Sequence, residues 1–153
     1  MLIGKNKPVD ELKNEQFTPK WIFDRIGIEF DLDVAAPTGG AANVPAGKYY
    51  TKEEDGLVQD WYGVVWMNPP YSNAKPWVEK FIKHSNGMAL LPSSKSYWFK
   101  DLWNLETGIS FVLDPVFDTP SGKGNKIYTP VFLIAMGDIC IKALQKAKIT
   151  KVR

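Results

Sequence analysis

Apolar residues along the chain recur with two spacings, one typical of helices and one typical of strands. Thr18 and Pro19 are a favourable N-cap and first helical residue, apolar side chains at helical spacing follow, and Gly27 is a stop signal. We therefore predict a helix between Thr18 and Gly27. Residues 30–34 alternate between apolar and acidic side chains, which predicts a strand.

The same two patterns continue along the chain and predict an alternation of strands with helices. The further elements are a strand at 48–51, a strand at 64–67, a helix from about 75 to Gly87, a strand at 88–91, a helix around 98–103, and strands at 109–113 and 131–136 joined by a long loop. Such an order indicates an α/β sheet with parallel strands at its centre. Ligands of these sheets bind outside the carboxyl ends of the strands, so the chemistry is expected just after Val34, Met67 and Leu91.

The segment Asn68-Pro69-Pro70-Tyr71 directly follows an uninterrupted apolar run at 64–67 that suits a strand buried on both faces. The two prolines fix their own φ angles and have no N–H to donate, so the local carbonyl groups are left as acceptors. The Asn68 side-chain oxygen and the Pro69 carbonyl can converge on one amino group, with Tyr71 as a flat face beside it. This arrangement would hold the exocyclic amine of a planar base. The alternative is a turn whose tyrosine packs in the core.

This NPPY segment resembles motif IV of the S-adenosylmethionine-dependent amino-methyltransferases that act on DNA. The wider chain, from about residue 16 to 136, resembles the phage-type (Dam-like) DNA N6-adenine methyltransferases of phages and prophages. The other matching segments are 18–19, 30–36, 55–57, 59–61, 76–80, 90–92 and 98–99. The resemblance implies a Rossmann-like methyltransferase sheet in three layers, mostly parallel, with an antiparallel C-terminal hairpin.

The resemblance also implies S-adenosyl-L-methionine as cofactor and assigns residues to it. Thr18-Pro19 matches the motif at the methionine end, and Asp33 matches the acid that accepts from the ammonium group. An acid of the run 53–55 would hold the ribose, with Asp55 preferred, and Asp60 would accept from the adenine amine. A solvated loop is the alternative for these acids. The full cofactor set is Thr18, Pro19, Asp33, Val34, Ala35, Asp55 and Asp60.

The implied reaction is direct methyl transfer to adenine N6 in DNA, with Asn68, Pro69, Pro70 and Tyr71 as the catalytic residues. The target adenine must leave the duplex stack to reach them. Trp98 and Phe99 either stack on that base or form the core face of a helix. The other candidate substrate contacts, all polar or basic and in loops, are Lys95, Ser96, Lys123 and Lys126.

Other activities remain open at this point. Cytosine N4, an RNA amine or a protein glutamine amide carries a chemically similar acceptor. A DNA-binding module without turnover is a reading from a different class, against which the intact NPPY segment argues.

Composition sets limits on partners and organisation. The chain of 153 residues has one cysteine and one histidine, which excludes an internal disulfide and a cysteine or poly-histidine metal cluster. No apolar run approaches the ~20 residues of a membrane span, so we expect an intracellular domain that does not cross a membrane. The resemblance implies a cytoplasmic location in a bacterial host cell and no metal. We predict a domain at 14–140, a flexible segment at 1–13, a basic tail at 141–153, and a monomer or weak dimer.

Overall fold

The computed structural model describes residues 18–93, 96–112, 116–117, 125–126 and 131–149. Within these ranges the chain forms four α-helices, eight β-strands and one 3-10 turn. The helices are α1 (Lys20–Ile26), α2 (Ala74–His84), α3 (Tyr97–Asn104) and α4 (Asp138–Ala147), and the 3-10 turn covers Tyr71–Asn73. The strands are β1 (Phe30–Asp33), β2 (Ala46–Tyr49), β3 (Val65–Met67), β4 (Gly87–Pro92), β5 (Gly108–Val112), β6 (Val116–Phe117), β7 (Asn125–Lys126) and β8 (Val131–Met136).

Six of these strands form one mixed sheet in the order β2-β1-β3-β4-β8-β5, while β6 and β7 pair in a separate ribbon. β1 is parallel to both β2 and β3, and β3 is parallel to β4. β8 runs antiparallel to both of its neighbours, β4 and β5. The predicted α/β sheet, with parallel strands at its centre and an antiparallel pair towards the C-terminal end, is confirmed.

The central strands are buried on both faces because alternate residues join two different apolar clusters. In β3, Trp66 packs with side chains of α1 and α4, whereas Val65 and Met67 pack with side chains of α2 and α3. The Trp66 ring lies 4.7 Å from the Phe23 ring and 5.5 Å from the Phe30 ring, measured between centroids. The run at 64–67 therefore forms the doubly buried strand that the sequence predicts.

The ends of the first two helices show one confirmed prediction and one correction. Gly27 takes the left-handed conformation after α1, with φ at 67°, and its N–H closes the last turn. After α2 the same role falls to Ser85, with φ at 54°, rather than to Gly87, which begins β4. A side chain at Gly87 would meet the Val65 carbonyl oxygen at 2.4 Å, so glycine is needed for close strand packing rather than as a helix stop.

The chain forms a helix where the sequence predicts the start of a basic tail. Cys140, Ala143, Leu144 and Ala147 recur at helical spacing and are buried, while the lysines of α4 lie on its exposed side. The predicted boundary at residue 140 therefore falls inside α4. Cys140 is one of the residues of this helix that are buried in the core.

Shortening Leu144 tests whether α4 is part of the core. Leu144→Ala is expected to lower the free energy of unfolding by about 2–5 kcal/mol, because it leaves a cavity in the apolar cluster between α1, α4 and the sheet, here called the α1–α4 cluster. Lys146→Ala on the exposed side of the same helix is the control and should change it by less than about 0.5 kcal/mol. Urea unfolding of both variants measures the difference. Equal, small effects would show that α4 does not contribute to the core.

Candidate active site

The carboxyl ends of β1 and β3 form the edge at which the main predicted site residues lie. From β1 the chain runs to β2 on one side and later returns to β3 on the other side, so the strand order reverses between β1 and β3. Asp33 is the last residue of β1 and pairs with Trp66, and Asn68 directly follows β3. Crevices at such reversals are the usual ligand sites of open α/β sheets.

Asp33 is an acidic side chain with almost no contact with solvent. Its side chain accepts a hydrogen bond from the Ala35 N–H at 3.2 Å, and the residue is only 3% exposed. Burial raises the pKa of Asp33 from 3.8 to about 7, although the hydrogen bond from Ala35 acts in the opposite direction. The Val34 N–H donates to the Trp66 carbonyl at 3.0 Å. The backbone N–H groups of Val34 and Ala35, both in the predicted cofactor set, therefore have partners within the protein.

Thr18 and Asn68 touch although they lie fifty positions apart. The Asn68 Nδ2 group donates to the Thr18 Oγ1 atom at 3.3 Å, and Thr18 is buried. The Thr18 carbonyl in turn accepts from the Asn43 side chain at 3.1 Å, and buried Pro19, rather than the predicted Thr18, is the N-cap of α1. A residue predicted to bind the cofactor and a residue predicted to be catalytic are thus brought together.

The segment after Asn68 leaves the sheet and turns at once. Pro69 is buried, Pro70 has φ −58° and ψ 119°, and its carbonyl accepts from the Asn73 N–H at 3.2 Å. The Tyr71 ring packs against the α1–α4 cluster, and its hydroxyl is buried without a hydrogen-bond partner in the described part of the chain. Burial raises the pKa of this phenol. The residue as a whole is half-buried, so the flat face expected for a base is partly covered by protein.

The acidic run after β2 is ordered by Thr51, a residue that the sequence reading missed. The Glu54 carboxylate accepts from the Thr51 N–H at 2.8 Å, and the Thr51 hydroxyl, with one hydrogen to donate, lies within hydrogen-bond distance of both the Glu53 and the Glu54 carboxylate. These hydrogen bonds lower the pKa of both glutamates. The spacing Thr-x-x-Glu is that of a capping box, which could have identified this arrangement. Asp55 is exposed, has φ 57°, and accepts from the Leu57 N–H at 3.1 Å.

The segment between Asp55 and β3 is held by Lys80 of α2. The Lys80 ammonium donates to three carbonyl groups of this segment and lies 5.1 Å from the centre of the Trp61 ring. Desolvation lowers the pKa of Lys80, and attraction by Asp60 and Asp55 acts against it. Asp60 itself is exposed, and its backbone carbonyl accepts from the Tyr50 hydroxyl at 3.1 Å. The sequence reading assigned no role to Lys80 or Trp61.

The aromatic residues of α3 are divided between the core and the surface. Trp98 is buried, and half-buried Phe99 makes edge contacts with the Trp98 ring at 6.0 Å and the Phe132 ring at 5.4 Å. These contacts match the core-face alternative for the pair. Trp103, which shares the predicted apolar face, is instead 63% exposed. Ser96 is exposed just before α3.

Several predicted features lie outside the described residues: Lys95, Lys123 and the segments 1–13 and 150–153, while Lys126 is described by its strand backbone alone. In the described part of the chain, no cluster of three or more histidine, cysteine, aspartate or glutamate side chains is arranged to hold a metal ion. None of the described helices has the length and apolar character needed to cross a membrane.

Replacing Asp33 with asparagine tests the raised pKa. A folded-state pKa above the unfolded value of 3.8 means that stability from Asp33 is present at low pH and is lost as the pH rises towards 7. Asparagine keeps the acceptor for the Ala35 N–H but carries no charge. We expect Asp33→Asn to be more stable than wild type at pH 8, by an amount that shrinks towards pH 5. Thermal unfolding at both pH values measures this, and a pH-independent difference would contradict it.

Comparisons with known proteins show the family of this chain. A family model described as DNA N-6-adenine-methyltransferase (Dam) matches residues 5–119. A DNA N-6-adenine-methyltransferase of Haemophilus phage HP1 (strain HP1c1) is 40% identical over 73 residues, which cover 44% of this chain and 40% of the relative. One of Escherichia phage T1 is 34% identical over 110 residues, which cover 64% of this chain and 44% of the relative. The aligned region thus spans less than half of each curated relative. This chain belongs to the family of DNA N-6-adenine-methyltransferases.

Proposed function

We propose that the protein transfers a methyl group from S-adenosyl-L-methionine to the N6 amine of adenine in DNA. The observation that carries the proposal is the meeting of three separate segments at one strand-order reversal, through Thr18, Asp33 and Asn68. Family membership supports the same reaction, and so does the activity for which the two phage relatives are named. The fold is then a Rossmann-like methyltransferase sheet in three layers, which the two apolar clusters on opposite faces of the strands support.

The residues at this edge fit the proposed cofactor. Asp33 is a buried carboxyl group with a raised pKa, and a cationic ammonium group beside it would favour its charged form. Thr18 and Pro19 would line the methionine end, together with the strand-end backbone of Val34 and Ala35. When bound, S-adenosyl-L-methionine supplies an electrophilic methyl group on its sulfonium.

The nucleoside half of the cofactor is assigned to the exposed acids beyond β2. Asp55 would accept from the ribose hydroxyls and Asp60 from the adenine amine. Both carboxylates are near enough to Lys80 to raise its pKa, against the larger effect of desolvation. Their exposure supports a role towards a ligand rather than within the core.

Asn68 and Pro69 are proposed to hold the target amine. The hydrogen bond from Asn68 Nδ2 to Thr18 orients the amide, and the amide oxygen has two lone pairs with which to accept. Acceptors at Asn68 and at the Pro69 carbonyl stabilise the positive charge that develops on the amine nitrogen. The prolines keep these acceptors in place, so that orientation contributes much of the rate.

Tyr71 is proposed to stack on the flipped adenine, which requires its ring to move. Flipping costs a few kcal/mol, and stacking on an aromatic ring returns about 1–3 kcal/mol per base. The buried Tyr71 hydroxyl has no partner among the described residues, a state that costs about 1–3 kcal/mol and so reduces the cost of turning the ring outwards.

The remaining substrate contacts are proposed for one serine and three lysines. Ser96 lies exposed just before α3, and we assign Lys95, Lys123 and Lys126 to DNA phosphates. Trp98 and Phe99 would support the wall of the base pocket rather than stack freely, because both pack against protein. We further propose a monomer or weak dimer that works in the cytoplasm of the bacterial host.

Other acceptors are less well supported. The two phage relatives are named for activity on adenine in DNA, which argues against cytosine N4, RNA and protein glutamine as acceptors. Methylation of cytosine C5 requires a reactive thiol, whereas burial raises the pKa of Cys140 to about 11.

Transfer of radiolabelled methyl groups tests the proposed reaction directly. Labelled S-adenosyl-L-methionine is incubated with unmethylated duplex DNA, single-stranded DNA, RNA and protein, and the DNA is digested to nucleosides. The expected product is N6-methyladenine from DNA. Label in cytosine, RNA or protein would replace the proposed substrate, and no transfer would favour a binding module without turnover.

Asn68→Ala tests the division of roles between base and cofactor. The variant is expected to lose at least about 100-fold in kcat, because it removes an acceptor for the developing charge, while cofactor affinity stays within about twofold. Asn73→Ala is the matched control, since Asn73 is exposed in the same segment and its side chain makes no cap hydrogen bond. Calorimetric titration and single-turnover rates measure the two effects. Loss of cofactor binding in Asn68→Ala would contradict the division.

A further inference from the structure

The 55–61 loop, which carries Asp55 and Asp60, is tied to α2 by three hydrogen bonds from Lys80 and by an edge contact between the Trp61 and His84 rings. The ammonium group of Lys80 donates to the carbonyl oxygens of Gly56 at 3.1 Å, Leu57 at 2.9 Å and Gln59. An ammonium has three N–H donors and no acceptor, so this loop uses all of them. Three converging backbone carbonyls form a site that only a compact cation with three donors fills completely.

Trp61 closes the other side of the same contact. Its ring lies 5.1 Å from the Lys80 nitrogen, and its Nε1–H donates to the Gly56 carbonyl at 2.7 Å. The Gly56 carbonyl therefore accepts from both side chains. A cation over an indole ring adds a favourable electrostatic contact to the hydrogen bonds.

The loop is also pressed against the end of β1. A side chain at Gly56 would lie 2.0 Å from the Val34 carbonyl oxygen and 3.1 Å from the Trp77 ring. Glycine is thus required for the loop to approach the strand that ends in Asp33. Lys80 and Gly56 together fix where the loop stands relative to β1.

We propose that Lys80 is the positioning residue of the nucleoside half of the cofactor site, holding the 55–61 loop so that Asp55 and Asp60 face the ribose and the adenine. This inference rests on the proposed function. The described hydrogen bonds of the Lys80 ammonium all go to the loop, so its contribution to cofactor binding passes through the carbonyls of Gly56, Leu57 and Gln59. Without this anchor the loop loses three hydrogen bonds to α2 and keeps the one from the Tyr50 hydroxyl to the Asp60 carbonyl.

Two ligands separate the halves of the site. S-adenosylhomocysteine carries both the nucleoside and the amino acid, whereas 5′-methylthioadenosine lacks the amino acid. Lys80→Met keeps the length of the side chain and removes the charge and the donors. We expect it to weaken both ligands by a similar factor of about ten or more.

Two further variants serve as controls. Lys83→Met, an exposed lysine of the same helix, should leave both affinities within about twofold of wild type. Asp33→Asn should weaken S-adenosylhomocysteine and leave 5′-methylthioadenosine nearly unchanged, because Asp33 is assigned to the ammonium group.

Kinetics distinguish positioning from a general structural role. Lys80→Met should raise KM for S-adenosyl-L-methionine about tenfold while kcat at saturating cofactor stays within about threefold. Trp61→Phe, which removes one hydrogen bond and keeps a ring, should give a smaller loss with the same pattern, and decides the matter if Lys80→Met does not fold.

Each outcome has a defined meaning. Unchanged affinity in Lys80→Met, or in Trp61→Phe if the first variant is unfolded, overturns the role of Lys80 and leaves the proposed function intact. A lower Tm with unchanged KM overturns it as well, because the residue is then only structural. A wild-type protein that binds neither ligand contradicts the proposed function, and the inference falls with it.

Discussion

The parallel pairing of β1 with β3 is the interaction on which the site depends. It joins the Leu32–Asp33 end of one strand to the Val65–Trp66 segment of another, and the Val34 N–H extends the ladder by donating to the Trp66 carbonyl. Since parallel neighbours end at the same edge, Asp33 and Asn68 lie at the same edge of the sheet. β2 and β4 then flank this pair, and the strand order reverses between the two functional strands. The apolar clusters on both faces keep this pairing dry and rigid.

The site is built from groups whose burial is unfavourable in the free protein. Asp33 is a buried acid with one backbone hydrogen bond among its described contacts, and the Tyr71 hydroxyl is buried without a described partner. Both states cost free energy, and both are relieved by the proposed ligands: an ammonium group beside Asp33, and a base that draws the Tyr71 ring out of the core. The loop acids differ, because they stay exposed while Lys80 holds their backbone. Ligand binding would thus remove part of the free-energy cost of burying these two groups.

Local patterns were enough to predict the sheet and the NPPY turn, because periodicity and proline act over a few residues. Trp66 and its neighbours formed the doubly buried strand, and Gly27 ended α1. What the sequence could not predict depends on contacts between distant segments. The ammonium of Lys80 has its carbonyl partners more than twenty positions away, and the packing of Tyr71, for which the sequence left two alternatives open, depends on α1 and α4. The helix at 138–147 is a different case. Its apolar residues recur at helical spacing, whereas the prediction of a basic tail rests on its lysines.

A crystal structure of the protein with S-adenosylhomocysteine tests the central claim most directly. We expect the ligand to lie across the carboxyl ends of β1 and β3. Its ammonium should lie within hydrogen-bond distance of the Asp33 carboxylate, its adenine beside Asp60, and its sulfur close to Asn68. A ligand bound elsewhere on the sheet, or with its adenine at Asp33, would contradict the account.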